Sequence, residues 1–199
     1  VHTIVDILNK NYPYIKIDVA YPYRHKDWND YLVYSIKNKE NDIIIKGLEK
    51  FYKHYPEIEI HFVEKGEDVE AAKQLCKDLG ISQVIVWHKE MKFYELLQLY
   101  QHADICFDQV GKHWIGAIGG YALWLGKPLI ANDERPKRID FWPDETPICS
   151  AKNDEEVYKW LCKLRNDSFR ELISNQSKDF VEKFMLPKKL LNDIFDLKI

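Results

Sequence analysis

Apolar and polar positions alternate along the chain in two different periods, which predict short strands and amphipathic helices. From residue 42 to 54 the apolar residues recur at helical spacing, as on one buried helix face. Short runs rich in Val and Ile, such as 31–36, are typical of strands buried on both sides. The same reasoning predicts strands at 57–63, 84–87, 105–107, 128–131 and 148–151, and helices at 68–79, 93–102, 118–125 and 155–165. The remaining residues are predicted to be helical in two pieces, broken at Pro187.

This regular alternation of strand and helix predicts an α/β fold, a doubly wound parallel sheet with helices on both faces. About six strands are expected, joined by right-handed crossovers. In such a fold, ligands bind beyond the carboxyl ends of the strands. The loops that follow the predicted strands are therefore the candidates for a functional site.

The composition indicates one soluble, globular domain. The chain has 199 residues, of which 46% are hydrophobic and 31% charged, with a formal net charge of −3. That charge gives no bulk attraction to nucleic acid or to an acidic membrane surface. Because no apolar run reaches membrane-spanning length and no signal-peptide pattern opens the chain, a cytoplasmic location is expected.

Neither the cysteines nor the histidines form a recognisable metal or catalytic motif. The cysteines are too far apart in sequence for a paired motif and are expected to be reduced, in or near the core: Cys76, Cys106, Cys149 and Cys162. No H-E-x-x-H pattern and no spacing typical of a Ser/His/Asp triad is present. The sequence therefore gives no reason to expect a metal.

The segment from Asp108 to Gly120 carries the strongest signal of a binding site. It contains four of the eight glycines, between a predicted buried strand and a short apolar helix. Glycine permits close approach of the backbone to a ligand, and a helix N-terminus presents N–H groups to an anion. Lys112 and His113 add hydrogen-bond donors. Close helix packing would by itself account for Gly119 and Gly120, and the segment matches neither a P-loop nor a dinucleotide fingerprint.

Two other loops are weaker candidates. Lys37 and Lys39 follow the first predicted strand and could hold a diphosphate, although composition alone favours a solvated turn. Trp87, His88 and Lys89 close the third predicted strand and could offer a flat face and backbone groups to a nucleobase. The alternative there is a core tryptophan beside a structural histidine. The mixed-charge loop at 132–138 is interpreted as solvated.

Residues from about 31 to 164 resemble the C-terminal, nucleotide-sugar-binding domain of retaining glycosyltransferases of family 4, which have the GT-B fold. The resemblance rests on the order and spacing of several loose motifs. They are the lysine-bearing loop at 37–39, Leu-Leu-Gln-Leu-Tyr-Gln-His-Ala-Asp at 96–104, Asp-Gln at 108–109, Trp-Ile-Gly at 114–116 and Ala-Leu-Trp-Leu-Gly-Lys-Pro-Leu-Ile at 122–130. It implies a Rossmann-like donor-binding domain at 31–185, preceded at 1–30 by a linker or the remnant of a missing N-terminal domain, and followed by a helical tail at 186–199.

The chain departs from this family at its E-x7-E motif. The two glutamate positions fall on His113 and Tyr121, so both carboxylates are missing. By resemblance, the first contacts the donor sugar and the second the ribose hydroxyls; a neutral histidine or a tyrosine hydroxyl can make part of those contacts. No catalytic residue is assigned. The donor-binding residues expected from the loops and the resemblance are Lys37, Lys39, Trp87, His88, Lys89, His113, Trp114, Gly116, Ala117, Ile118 and Tyr121.

The resemblance implies a hexosyltransferase-like enzyme of which this chain is the C-terminal half. The enzyme would move a sugar, with retention, from a nucleoside diphosphate sugar to a saccharide or lipid-linked acceptor, as in polysaccharide biosynthesis. The acceptor would bind through the missing N-terminal domain. No metal or other cofactor and no nucleic-acid partner are expected, and peripheral membrane association of the full-length enzyme is left open.

Two alternatives remain at the level of sequence. A non-catalytic glycosyltransferase-like module, one that has lost its donor site and serves assembly, is favoured by the missing glutamates and disfavoured by the lysines and the glycine-rich turn. An unrelated doubly wound domain, such as a flavodoxin-like receiver, would need an acidic pocket or a flavin loop near the first strand, and neither is visible.

Overall fold

The structure, a computed structural model, describes residues 41–66, 68–112, 115–134, 137 and 142–186. Within these residues, helices and strands alternate as the sequence predicts, and every strand pairing is parallel. The predicted strand at 31–36, the segment 1–30 and the tail from Pro187 lie outside the described residues. So do four predicted site residues, namely Lys37, Lys39, His113 and Trp114.

The strands of the described part form two sheets, with the orders β1–β2 and β3–β4–β5. Their bounds are β1 (Ile60–Val63), β2 (Ile85–His88), β3 (Cys106–Phe107), β4 (Leu129–Ala131) and β5 (Cys149–Ser150). The helices are α1 (Asn41–His54), α2 (Val69–Asp78), α3 (Phe93–His102), α4 (Ala117–Trp124), α5 (Asp154–Leu164) and α6 (Asp167–Phe180), and α6 continues into a π-helical turn (Val181–Met185). The described residues thus contain five strands rather than the predicted six or so.

Strand β4 shows why helices are needed on both sides. Successive side chains of a strand point to opposite faces of the sheet. Ile130 is buried in a cluster with residues of α1 and α5, whereas Leu129 and Ala131 are buried in a second cluster with residues of α4 and the end of α6. A strand that is covered on both faces has no polar position, as the sequence Leu-Ile-Ala indicates.

The sheet of β1 and β2 is covered by α1 and α2 on one face. Ile45, Cys76 and Ile81 form a buried cluster there, against which Phe62 and Trp87 pack. The neighbouring side chains of both strands point to the opposite face, and Val86 of that face is exposed. Trp87 and Phe62 are register partners, so their rings lie 5.2 Å apart between centroids.

Local sequence signals set several helix ends. Asn153 and Asn166 cap α5 and α6, where their side chains accept from the backbone N–H groups of Glu156 and Phe169, each at 2.9 Å. Gly126 follows α4 with φ of 67°, a left-handed conformation that favours glycine. No helix among the described residues is long and apolar enough to cross a bilayer. The four cysteines are free thiols, three of them buried and Cys162 half-buried, as expected.

Candidate functional site

The glycine-rich segment between β3 and α4 lies at the carboxyl edge of its sheet, where the sequence places a binding site. Beyond the strand ends, Asp108 donates its N–H to the carbonyl of Ile130 at 3.1 Å, and Asn132 donates its N–H to the carbonyl of Gln109 at 2.8 Å. Gly111 donates its N–H to the carbonyl of Ala151, the residue that follows β5, at 3.2 Å. The segment is therefore held against β4 and against the end of β5.

Asn132 connects the two halves of this segment. Its side-chain amide donates to the carbonyl of Gly111 at 2.5 Å, and its own carbonyl accepts from the N–H of Ile115 at 2.8 Å. Its side-chain oxygen accepts from Glu134 at 2.9 Å. Only 5% of Asn132 is exposed. The interpretation of 132–138 as a solvated loop is therefore wrong at its first residue, because buried backbone groups must find partners.

Asp133 is a second buried polar residue of the same loop, with 1% of its surface exposed. Its Oδ2 atom accepts from the Thr146 hydroxyl and lies 2.8 Å from Lys137 Nζ. Within the described part of the chain, its Oδ1 atom has no hydrogen-bond partner. A buried ion pair of this kind fixes the loop beside β5 and depends on both partners, because either charge alone would be costly to bury.

The N-terminus of α4 holds the carboxylate of Asp108. A single oxygen, Asp108 Oδ2, accepts from the N–H of Gly116 at 2.6 Å and from the N–H of Gly119 at 3.0 Å. Gly116 has an extended backbone, with φ of −102°, which any residue can adopt. Glycine is favoured at this position because it has no side chain to keep the carboxylate away. A Cβ at Gly119 would lie 2.7 Å from Asp108 Oδ2. Both glycines let the carboxylate approach the helix end.

Ala117 and Ile118, two of the predicted diphosphate ligands, are the first two residues of α4. The first four N–H groups of an α-helix have no partner within the helix. Of the four at this end, Asp108 takes those of Gly116 and Gly119. The amides of Ala117 and Ile118 lie between them in sequence, and their binding of an anion stays a prediction.

Tyr121 connects this turn to the loop that follows β2. Its ring meets that of Phe93, the first residue of α3, edge to face with centroids 4.8 Å apart. Tyr121 is 37% exposed and Phe93 is 51% exposed, so neither is an ordinary core aromatic. The structure thus places Tyr121 beside the start of the helix that follows Trp87, His88 and Lys89. Its contact with a donor stays a prediction.

The loop of Trp87, His88 and Lys89 makes contacts within its own sheet. The Trp87 ring packs against Phe62, and Lys73 Nζ lies 5.6 Å from its centroid. Lys89 and Lys73 both pair with Glu64. Their hydrogen bonds hold the pKa of the Glu64 carboxyl below its usual range, and the bond from Lys89 has the larger effect. The packing of Trp87 agrees with the alternative interpretation, a core tryptophan, and nucleobase binding here stays a prediction.

A chain of three polar side chains on the open face of β1 and β2 was missed by sequence reasoning. His61 Nε2 lies 2.7 Å from Glu59 Oε1, and His61 Nδ1 lies 2.8 Å from His88 Nε2. If neutral His61 donates from Nε2 to Glu59, its Nδ1 must accept from His88 Nε2–H, which fixes the tautomer of His88. The signal was Glu59 and His61 at alternate positions of the strand predicted at 57–63.

The acidic, cysteine and histidine side chains of the described residues do not cluster. Among the residues that the structure describes, no group of three or more His, Cys, Asp or Glu side chains could hold a metal ion. Thiol chemistry is disfavoured as well, because burial raises the pKa of both Cys106 and Cys149 to about 12. What the site offers is backbone N–H groups, an aromatic pair and an acidic residue at a helix end.

Comparison with known proteins identifies the fold. No family model matches the sequence, and no curated protein does. TarM from S. aureus, solved with fondaparinux, α-GlcNAc-glycerol and UDP, matches with a TM-score of 0.62 at 14% identity, over 78% of this chain and 32% of its own. HepE from Anabaena, solved with UDP and glucose, matches with a TM-score of 0.61 at 14% identity, over 80% of this chain and 45% of its own.

The third match concerns an isolated domain. The C-terminal domain of LpcC, a glycosyl transferase group 1 family protein from Francisella tularensis, matches with a TM-score of 0.60 at 19% identity, over 73% of this chain and 79% of its own. All three are GT-B glycosyltransferases, so this chain has the fold of a GT-B C-terminal domain, as its sequence predicts. It spans only 32% of TarM and 45% of HepE.

Proposed function

We propose that this chain is the donor-binding domain of a glycosyltransferase that uses a nucleoside diphosphate sugar. The observation that carries the proposal is the start of α4. There the amides of Ala117 and Ile118 stand at the carboxyl edge of the strands, in a fold whose neighbours TarM and HepE were solved with UDP. A helix N-terminus at this edge is where α/β proteins bind phosphate groups.

The finer assignments belong to the same proposal. The transferase moves a hexose with retention to a saccharide or lipid-linked acceptor, in polysaccharide biosynthesis, and the acceptor binds through a separate N-terminal domain. Lys37 and Lys39 bind the diphosphate, and His113 and Tyr121 replace the glutamates of the related family. The doubly wound fold has about six strands. The protein is cytoplasmic, and the full-length enzyme can associate peripherally with a membrane.

In the proposed reaction, this domain positions the donor and stabilises the charge of the leaving diphosphate. When the sugar–phosphate bond breaks, negative charge develops on the leaving diphosphate. Fixed N–H dipoles and lysine side chains aimed at that charge stabilise it without reorganising, and no metal or other cofactor is required in this scheme. No residue of the domain needs to form a covalent bond with the sugar.

Thermal unfolding with nucleotides tests the proposal. UDP or GDP should raise the melting temperature, because a ligand that binds only the native state stabilises it. At ten times the dissociation constant the gain is about 1.4 kcal/mol, which corresponds to about 3–6 °C for a domain of this size. Uridine and guanosine, which lack the diphosphate, are the matched controls. If neither diphosphate shifts the transition at millimolar concentration, the proposal is wrong.

The second candidate, a non-catalytic module that serves assembly, is favoured by one specific observation. The two acidic positions of the related family are His113 and Tyr121, and among the described residues the carboxylate of Asp108 accepts from amides of the helix end instead of leaving them open to a ligand. Under this alternative, neither UDP nor GDP stabilises the domain. The same melting experiment therefore separates the two functions.

A further inference from the structure

His61 and His88 form a hydrogen-bonded pair on the open face of β1 and β2. Their rings are stacked, with centroids 5.1 Å apart and planes inclined by 18°, and His61 Nδ1 lies 2.8 Å from His88 Nε2. His88 is the last residue of β2, so the pair reaches the carboxyl edge of this sheet, where α/β proteins bind ligands. At the other end of the pair, His61 Nε2 lies 2.7 Å from the carboxylate of Glu59.

Glu59 sets the direction of both hydrogen bonds. A carboxylate can only accept, so Glu59 accepts from His61 Nε2–H. A neutral imidazole has one N–H, which leaves His61 Nδ1 to accept from His88 Nε2–H. The lone pair of neutral His88 is therefore on its Nδ1 atom. Within the described part of the chain, this Nδ1 atom has no hydrogen-bond partner.

The charged side chains that flank His88 are paired with one another. The ion pairs are Glu64 with Lys89, Glu64 with Lys73, and Glu90 with Lys65. The imidazole of His88 thus adds a neutral acceptor to this edge, and a neutral acceptor suits an N–H or O–H group rather than a phosphate. The exposed ring of Phe93, which begins α3 after the same loop, adds an apolar surface.

We propose that Glu59 and His61 are positioning residues of the donor site. They hold His88 with its Nδ1 lone pair at the carboxyl edge of β2, where it accepts a hydrogen bond from a neutral group of the donor nucleoside. That group is either a nucleobase N–H or a ribose hydroxyl. This inference rests on the proposed function. Glu59 and His61 act through His88 and do not contact the ligand themselves.

Reversing the charge of Glu59 tests the direction of the hydrogen bonds. In Glu59→Lys the new side chain can only donate to His61 Nε2, so both bonds reverse and Nδ1 of His88 carries the proton. Glu59→Gln keeps an oxygen that can accept, so the original direction should persist without the charge. Glu57→Lys is the matched control, because Glu57 is exposed and also lies just before β1.

NMR of the 199-residue chain locates the proton on His88 without any ligand. Long-range proton–nitrogen correlation spectra at pH 8 distinguish a ring nitrogen that carries the proton from one that carries the lone pair. We expect the lone pair on Nδ1 in wild type, Glu59→Gln and Glu57→Lys, and the proton on Nδ1 in Glu59→Lys. Backbone spectra of the variants are the control for folding. A proton on Nδ1 in wild type, or an unchanged His88 in Glu59→Lys, would overturn the inference.

Isothermal titration calorimetry at pH 8 then measures whether the ligand meets this nitrogen. Glu59→Lys should bind UDP about tenfold more weakly than Glu57→Lys, which has the same change in charge, because an N–H group would face the donor group of the ligand. Glu59→Gln should bind UDP at least as tightly as wild type.

Two analogues identify the group on the ligand. 3-Methyl-UDP lacks the nucleobase N–H, and 2′,3′-dideoxy-UDP lacks the ribose hydroxyls, so the difference between Glu59→Lys and Glu57→Lys should vanish with the analogue that lacks the bonded group. If the melting experiment selects GDP, then GDP with its 1-methyl and dideoxy analogues takes the place of UDP.

Three results of the binding experiment would overturn the inference. A difference that persists with both analogues would mean that Glu59→Lys acts on the site in another way. Equal binding of UDP by Glu59→Lys and Glu57→Lys, while wild type binds UDP, would show that His88 does not contact the ligand; the proposed function would stand. If wild type binds neither UDP nor GDP, the proposed function fails, and this role of Glu59 and His61 fails with it.

Discussion

Burial decides the chemistry of individual residues in this domain, and the cysteine thiols allow a direct test. Because burial raises the pKa of Cys106 and Cys149 to about 12, and raises that of Cys76 as well, their reactive thiolate is scarce at neutral pH. Cys162 is only half-buried. We expect iodoacetamide at pH 8 to label Cys162 first in the folded protein, and the other three after unfolding in urea, as read by mass spectrometry. Native labelling of Cys106 or Cys149 at the rate of Cys162 would contradict this.

Residue-level predictions from sequence succeeded where one residue type has one common environment. Free cysteines in apparent strands were expected in the core, and they are there. Asn132 and Asp133 were misjudged because polar residues after a strand are usually solvated. The burial of Asn132 depends on a distant segment, 109–111, where the carbonyl of Gly111 needs a partner, and that of Asp133 goes with its contacts to Thr146 and Lys137. No local pattern in 132–138 predicts that these two side chains are buried.

At the scale of elements, the packing of α1 against α5 depends on one glycine. A Cβ at Gly47 would lie 2.4 Å from Cγ1 of Val157 and 3.0 Å from the carbonyl oxygen of Asp154. We therefore expect Gly47→Ala to destabilise the fold by about 1–3 kcal/mol through overpacking, although alanine favours a helix by about 1 kcal/mol over glycine. Urea unfolding measures the change.

A second substitution checks the cause of that loss. Val157→Ala removes Cγ1, the atom nearest to the new methyl group, and leaves Cβ at 2.6 Å. The clash is therefore relieved in part, and the double variant should lose somewhat less than the sum of the two single changes. Val157→Ala alone should be destabilising, because Val157 is fully buried. If the two effects are additive, the close approach of the helices does not explain the loss in Gly47→Ala.

Helices were easier to predict than strand ends. A 14-residue amphipathic helix such as α1 repeats its apolar face over several turns, so its bounds were predicted to within one residue. The strand predicted at 57–63 instead begins at Ile60, because it pairs with a partner of four residues, 85–88. A strand extends only as far as a neighbouring strand offers backbone partners. The length of a strand therefore cannot be predicted from its own sequence.

At the scale of the whole molecule, sequence pattern predicts the class of fold but not the arrangement of its sheets. Alternating strands and helices indicate parallel pairing, which all three described pairings confirm. The pairing of β3 with β4 and of β4 with β5 joins segments that are distant in sequence, so local patterns do not predict it. The motifs at 96–104 and 122–130 predict the class of fold through a resemblance, and the order of the strands comes from the structure. The structural comparison confirms that resemblance for the fold.

This chain covers less than half of TarM and of HepE, and a prediction about activity follows from that. It matches 32% of TarM and 45% of HepE, so more than half of each neighbour has no counterpart in this chain. If the donor binds this domain and the acceptor binds another, the isolated 199-residue chain should bind UDP without transferring sugar. Bringing the two reactants into one oriented complex supplies much of the rate in such a reaction, about 7–11 kcal/mol, and a donor domain alone cannot supply it.

The experiment gives the purified chain a radiolabelled UDP-sugar and a mixture of saccharide and lipid-linked acceptors, and follows both transfer to acceptor and release of free sugar. We expect neither product above the rate without protein, while calorimetry on the same preparation detects UDP. The calorimetric signal is the control that the chain is folded and its site intact. Sugar transfer by the isolated chain would show that the acceptor also binds within these residues, and the division of labour between two domains would then be wrong.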